Sequence, residues 1–130
     1  MDRSDILAQL RQHSRPDMSV SGGAAMVLHG LRSDTADIDA QVPGAVFDEI
    51  HQQHGAPPLG DFRGTPLFQI PGTDIDLHRS DHRGSHPIGD APGHMSSIDE
   101  LLEFYEGLNR PKDQPWLEVL RAKKGGARGT

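Results

Sequence analysis

The chain contains no cysteine, and that absence removes three classes at once: disulfide-framed scaffolds, thiolate zinc sites and cysteine nucleophiles. Aromatic residues make up only 5% of the 130 residues, and they form no evident base-stacking platform in the sequence. No apolar run approaches the roughly 20 residues that a membrane span requires. The opening Met1-Asp2-Arg3-Ser4-Asp5 lacks the basic and then apolar order of a secretory signal. Positive charge is also scarce. With 13 Lys and Arg against 19 Asp and Glu, the formal net charge is −6, so the surface as a whole does not attract nucleic acid. The expectation is a cytoplasmic protein without membrane contact.

What the chain does have is glycine and proline, 15 and 10 residues respectively, in a sequence that is only 34% hydrophobic. Those proportions predict one domain with a modest core and extensive loops. The domain is expected to span residues 1–122, followed by a basic, Gly-rich tail over 123–130. Ile6, Leu7 and Leu10 share one face of a predicted helix from Arg3 to His13. A strand over Met18–Ser21 leads through Gly22-Gly23 into a short apolar helix, Ala24–Leu28. A second strand runs from Asp37 to Val42, and Val46, Phe47 and Ile50 mark the next amphipathic helix. Residues 67–78 have the form of a hairpin, with Pro71-Gly72 suited to a type II turn. Residues 79–95 show no periodicity and are expected to be a long loop. Ser97 can cap a helix from Ile98 to Leu108, and Asp113 can cap a last one carrying Trp116, Leu117 and Leu120. The sum is an α/β (α+β) domain with a small mixed sheet of about four strands flanked by helices.

The chemistry concentrates in two copies of one tripeptide, Asp37-Ile38-Asp39 and Asp74-Ile75-Asp76. Residues two apart on a strand point to the same face, so each copy places two carboxylates on one side and an isoleucine on the other. Crowded carboxylates repel unless they are solvated or bridged by a cation, and their oxygens suit hard divalent metals such as magnesium. Gly22-Gly23, between a strand and a helix, lets the backbone approach a ligand closely, with amides able to meet phosphate oxygens. A strand–turn–helix–strand unit returns the chain beside its start, so the glycine turn and the first carboxylate pair can converge. A competing constellation is His78, His82 and His86, spaced every four residues as a zinc-binding helical face would be. Gly84 and Pro87 argue against a helix there.

Taken together, Ser21-Gly22-Gly23, His29-Gly30, Arg32, Thr35 and Asp37-Ile38-Asp39 resemble the nucleotidyltransferase superfamily with the DNA polymerase β-like fold. The block is most similar to small stand-alone bacterial or phage enzymes related to defence and toxin–antitoxin nucleotidyltransferases. The resemblance implies a nucleotidyltransferase fold and a third carboxylate on a later strand, a position that Asp76-Leu77-His78 fits, with Asp74 competing. It implies that Asp37, Asp39 and Asp76, with Asp74 as a further candidate, hold two Mg2+ ions about 4 Å apart. It also implies that Asp37, Asp39 and Asp76 serve catalysis, with Asp76 able to take the proton of the attacking hydroxyl. Ser21, Gly22, Gly23, Arg32 and Thr35 would contact a nucleoside triphosphate such as ATP. Asn109-Arg110-Pro111-Lys112-Asp113 resembles a basic segment that opens a late helix in such proteins, which adds Arg110 and Lys112 to the nucleotide contacts.

The activity so implied is magnesium-dependent transfer of a nucleoside monophosphate from a triphosphate to an acceptor hydroxyl on a protein, a tRNA or a small molecule. Two alternatives stand beside it: an inactive, antitoxin-like binding module of the same fold, and a metal-dependent phosphohydrolase. Many active relatives carry an additional helical domain that helps bind the acceptor. With only two helices after residue 95, acceptor recognition here falls to the 79–95 segment, a homodimer mate or a partner protein.

Overall fold

Alternation along two strands organises the molecule. In the computed structural model, which describes the backbone of residues 1–128 and side chains through residue 125, β2 (Ile38–Val42) and β5 (Ile75–Arg79) lie side by side and parallel. Their register sets Ile38 against Ile75 and Asp39 against Asp76. Ile38, Ala40, Val42, Ile75 and Leu77 are buried behind the sheet, while the residues between them face the other way. Burying each such isoleucine or leucine contributes about 1.5–3 kcal/mol, which makes a one-residue slip of either strand costly.

Around this pair the chain builds a mixed sheet of seven strands rather than four, ordered β3-β4-β5-β2-β1-β7-β6. β1 (Ser19–Ser21) runs antiparallel to β2. β4 (Thr65–Gln69) forms the expected hairpin with β5, and β3 (Gly60–Phe62) extends it at the edge. The remaining strands, β6 (His86–Pro87) and β7 (His94–Met95), come from the segment expected to be a long loop. β7 pairs in parallel with β1, so this segment is stitched into the sheet. It is also tied to helix α4 (Ile98–Leu108) by Glu100, which accepts from the Ser85 amide at 3.0 Å and its hydroxyl at 2.7 Å. The same carboxylate completes the capping box with Ser97 and lies 3.4 Å from His82 Nε2. Burial pushes the Glu100 pKa up, but the converging amides and hydroxyls outweigh it and hold the carboxyl down to about 2.

The helices follow their sequence signals closely. α1 (Arg3–His13) opens on an Asp2–Asp5 capping box and buries Ile6, Leu7 and Leu10. α2 (Gly22–Leu28) takes both glycines into its first turn, and α3 (Gly44–Gln53) buries Phe47 and Ile50. The Phe47 ring meets Phe68 of β4 edge-on, with centroids 5.3 Å apart. α4 and α5 (Gln114–Arg128) pack together through Leu101, Leu102, Tyr105, Leu117 and Leu120. Asp113 does not cap α5 as expected. It sits in a single 3₁₀ turn, Pro111–Asp113, bound to Arg110. The expected tail begins inside α5, which continues through the basic stretch to Arg128; Gly129 and Thr130 lie outside the described residues. Among the described residues, no helix is long and apolar enough to cross a membrane.

Candidate active site

The polar face of β2 and β5 forms the floor of a cleft of about 630 Å³. Asp37, at the entry to β2, joins Asp39 and Asp76 so that one carboxylate oxygen from each lies within 4.8 Å of the others. Burial, and after it the neighbouring Asp39 charge, raise the Asp37 pKa; Arg32 and His78 act in the opposite direction. Burial, then the charges of Asp37 and Asp39, also raise Asp76. Asp37 and Asp76 thus resist ionisation beside their acidic neighbours. A divalent cation would relieve that resistance, and three converging carboxylate oxygens are the donor set a hard cation takes. The residues present fit a hard divalent cation such as magnesium.

His78 braces the group from β5, its Nε2 3.2 Å from Asp39 Oδ1. The three periodically spaced histidines go to separate places: His78 to Asp39, His82 to Glu100, and His86 to a ring contact with His29 at 5.1 Å. They share no zinc site. Asp74 is not drawn into the carboxylate group either. Its Oδ2 accepts from Gln9 Nε2 at 2.8 Å, and its amide donates to Gln9 Oε1 at 2.8 Å. The second tripeptide therefore splits between the cleft and helix α1.

Geometry explains the two glycines. Gly22 has φ +61, a left-handed conformation that disfavours any side chain, and a Cβ there would stand 3.2 Å from Asp39 Oδ2. A Cβ on Gly23 would come within 2.6 Å of Thr35 Oγ1 and 3.0 Å of an Arg32 nitrogen. The turn is pressed directly onto the carboxylates and the 32–35 loop. Ser21, the last residue of β1, is buried and accepts a 2.7 Å hydrogen bond from Gln41 Nε2. Buried Thr35 is fixed through its amide, which donates to the Met1 carbonyl at 2.9 Å.

Arg32 donates to the Asp34 carbonyl at 2.7 Å and places its guanidinium carbon 4.4 Å from the centroid of the Trp116 ring. Arg110 holds Asp113 with two hydrogen bonds of 2.6 and 3.2 Å, and Asp113 is only 4% exposed. Lys112 also lines the cleft. All of the expected nucleotide-contacting residues, Ser21, Gly22, Gly23, Arg32, Thr35, Arg110 and Lys112, therefore border one cavity.

Sequence reasoning missed the aromatic wall. Phe62, Phe104, Tyr105 and Trp116 line the cleft from β3, α4 and α5, elements far apart in the chain. Burial, with the Asp113 charge second, pushes the Tyr105 hydroxyl up to about 12, which keeps it a proton donor. Gln41 was missed too. The alternation that places Asp39 in the cleft places Gln41 there as well, two residues on.

No protein-family profile matches the chain. No curated protein matches it either. Among solved structures, ANT(2")-Ia in complex with adenylyl-2"-tobramycin aligns with a TM-score of 0.57 and 14% sequence identity, over 96% of this chain and 88% of that one. At that identity the likeness concerns architecture alone. The chain has a nucleotidyltransferase fold.

Proposed function

We propose that the protein is a magnesium-dependent nucleotidyltransferase of the small stand-alone type, moving a nucleoside monophosphate from a triphosphate to an acceptor hydroxyl. The observation that carries this reading is the convergence of Asp37, Asp39 and Asp76 within 4.8 Å of one another, against a glycine turn with no room for a side chain. The adenylylated tobramycin held by ANT(2")-Ia supports transfer to a hydroxyl as a use of this fold. The similarity of the Ser21–Val42 block to defence and toxin–antitoxin enzymes supports the stand-alone type.

Asp37, Asp39 and Asp76 are the residues that would hold the metal. Bound there, magnesium would neutralise triphosphate charge and acidify the acceptor hydroxyl. The remaining work falls to the chain. Gly22-Gly23 brings backbone close to the phosphates, while Arg32, Arg110 and Lys112 supply positive charge along them. Thr35 and Ser21 hold the turn and its loop in place. Asp76 takes the proton of the attacking hydroxyl. His78 orients Asp39 through the 3.2 Å contact. No covalent enzyme intermediate is needed, because positioning and charge complementarity lower the barrier.

The test is incubation with labelled nucleoside triphosphates, magnesium and cell extract, comparing the wild type with Asp37→Ala and Asp39→Ala. Label transfer that disappears in both variants supports the enzyme. Triphosphate binding without transfer points to the inactive binding module, and phosphate release without pyrophosphate points to a hydrolase. A melting temperature indifferent to both triphosphate and magnesium overturns the proposal.

A further inference from the structure

The two ends of the cleft differ in a way that narrows the acceptor. Sheet order places the carboxylates at the centre on β2 and β5, the glycine turn beyond β1 on one side, and the β3–β4 hairpin on the other. If the triphosphate takes the glycine side, with Arg32, Arg110 and Lys112, the acceptor enters over β5 and the hairpin. This orientation rests on the transfer reading above.

The hairpin end is built from Phe62, Arg63, Leu67 and His78. The Phe62 and His78 rings meet edge-on with centroids 5.9 Å apart, so the two rings form a corner rather than one continuous plane. Arg63 takes part in none of the ion pairs formed among the described residues. Outside the three metal-facing carboxylates, the one acidic residue lining the cleft is Asp113, already held by two bonds from Arg110. Among the residues lining the cleft, a polycationic acceptor would find no further unengaged carboxylate. A phosphate would find Arg63, whose guanidinium suits it geometrically.

The position of Arg63 adds weight. Phe62 pairs with Thr65, so Arg63 and Gly64 alone form the turn, with φ +53 and +81. Two-residue turns with both φ values positive favour Asn or Gly at the first place. Arginine stands there against that preference.

We propose that the acceptor is a small phosphorylated alcohol, a sugar phosphate or a mononucleotide, recognised through its phosphate by Arg63 and by packing of its ring against Phe62. In the reaction the acceptor oxygen forms a bond to the α-phosphorus. The bond from that phosphorus to the oxygen bridging the β-phosphorus breaks, pyrophosphate leaves with the electron pair, and the hydroxyl proton passes to Asp76.

The experiment measures pyrophosphate release from ATP and magnesium with four acceptors: ribose phosphate, AMP, adenosine and tobramycin. The expected result is turnover with ribose phosphate or AMP, and a KM for adenosine at least roughly tenfold above that for AMP. Which phosphorylated acceptor is preferred distinguishes a sugar phosphate from a nucleotide. Arg63→Gly suits the turn's backbone, so it folds at least as stably as the wild type. It should raise KM for the phosphorylated acceptor roughly tenfold with kcat little changed, and Arg63→Lys should recover part of the loss. Preference for tobramycin, or equal KM for AMP and adenosine in the wild type, overturns this inference while leaving nucleotidyl transfer intact. Absence of pyrophosphate release with all four acceptors overturns this inference, and label transfer in cell extract then decides whether nucleotidyl transfer itself stands.

Discussion

The same three residues, Asp-Ile-Asp, occur twice and come to different ends. In the first copy both carboxylates enter the cleft; in the second, Asp76 does so while Asp74 is held by Gln9 of α1. The isoleucines behave alike, both fully buried and paired across the parallel strands. The strand's period decides which face a residue occupies. Where an aspartate at the strand's edge finds its partner is decided by whatever neighbour packs there. For Asp37 that neighbourhood includes Arg32 and the glycine turn; for Asp74 it is the exposed flank of a helix.

This contrast can be broken most sharply by mutation. Asp39→Ala or Asp76→Ala should lower nucleotidyl transfer by roughly 10²–10³-fold or more, whereas Asp74→Ala should leave it within about twofold. Pyrophosphate release under saturating triphosphate checks both. The glycine turn comes next. Gly22→Ala places a side chain in the left-handed region and against Asp39 Oδ2. It should destabilise the fold by about 1–2 kcal/mol and impair transfer beyond that loss, as denaturant unfolding and turnover together will show.

A gentler probe uses pH. Asp37 and Asp76 both have raised pKa values in the folded protein. The stability they contribute is therefore complete below the ordinary carboxylate pKa and is lost as pH rises through their folded values. Glu100, lowered to about 2, works oppositely, with its contribution present above its ordinary value and lost as pH falls. The melting temperature of Asp76→Asn relative to wild type, without metal, should consequently rise as pH climbs through the carboxylate range. Added magnesium should reverse the order. The smallest effect belongs to the outlying residue: Asp74→Ala should cost about 0.5–1.5 kcal/mol, the worth of the bond its carboxylate accepts from Gln9, with Gln9→Ala costing more because it also strips the Asp74 amide of its partner.

Much of this was legible in the sequence, for identifiable reasons. α1 and α4 lie where their caps and apolar spacing place them, because local hydrogen bonds mark those ends. The carboxylate face of β2 follows from a period of two. By contrast, β6 and β7 are two residues each and have no alternation of their own. Their strand character comes from pairing with one another and with β1, and β3 likewise takes its register from β4. The aromatic wall stayed hidden because its residues are joined only by tertiary packing. Asp113 misled for a related reason. An aspartate before a helix has the form of a cap, but Arg110 three residues earlier offers two charged donors and takes it.

The Arg32–Trp116 contact has a practical consequence. Trp116 is the only tryptophan in the chain, and it stands in the wall of the cleft under a guanidinium. All indole emission therefore originates at the site itself, and no label is required to watch it. A triphosphate that draws Arg32 away would uncover the ring and alter both the intensity and the wavelength of its fluorescence. Ligand arrival could then be followed in real time, separately from any chemistry that comes after.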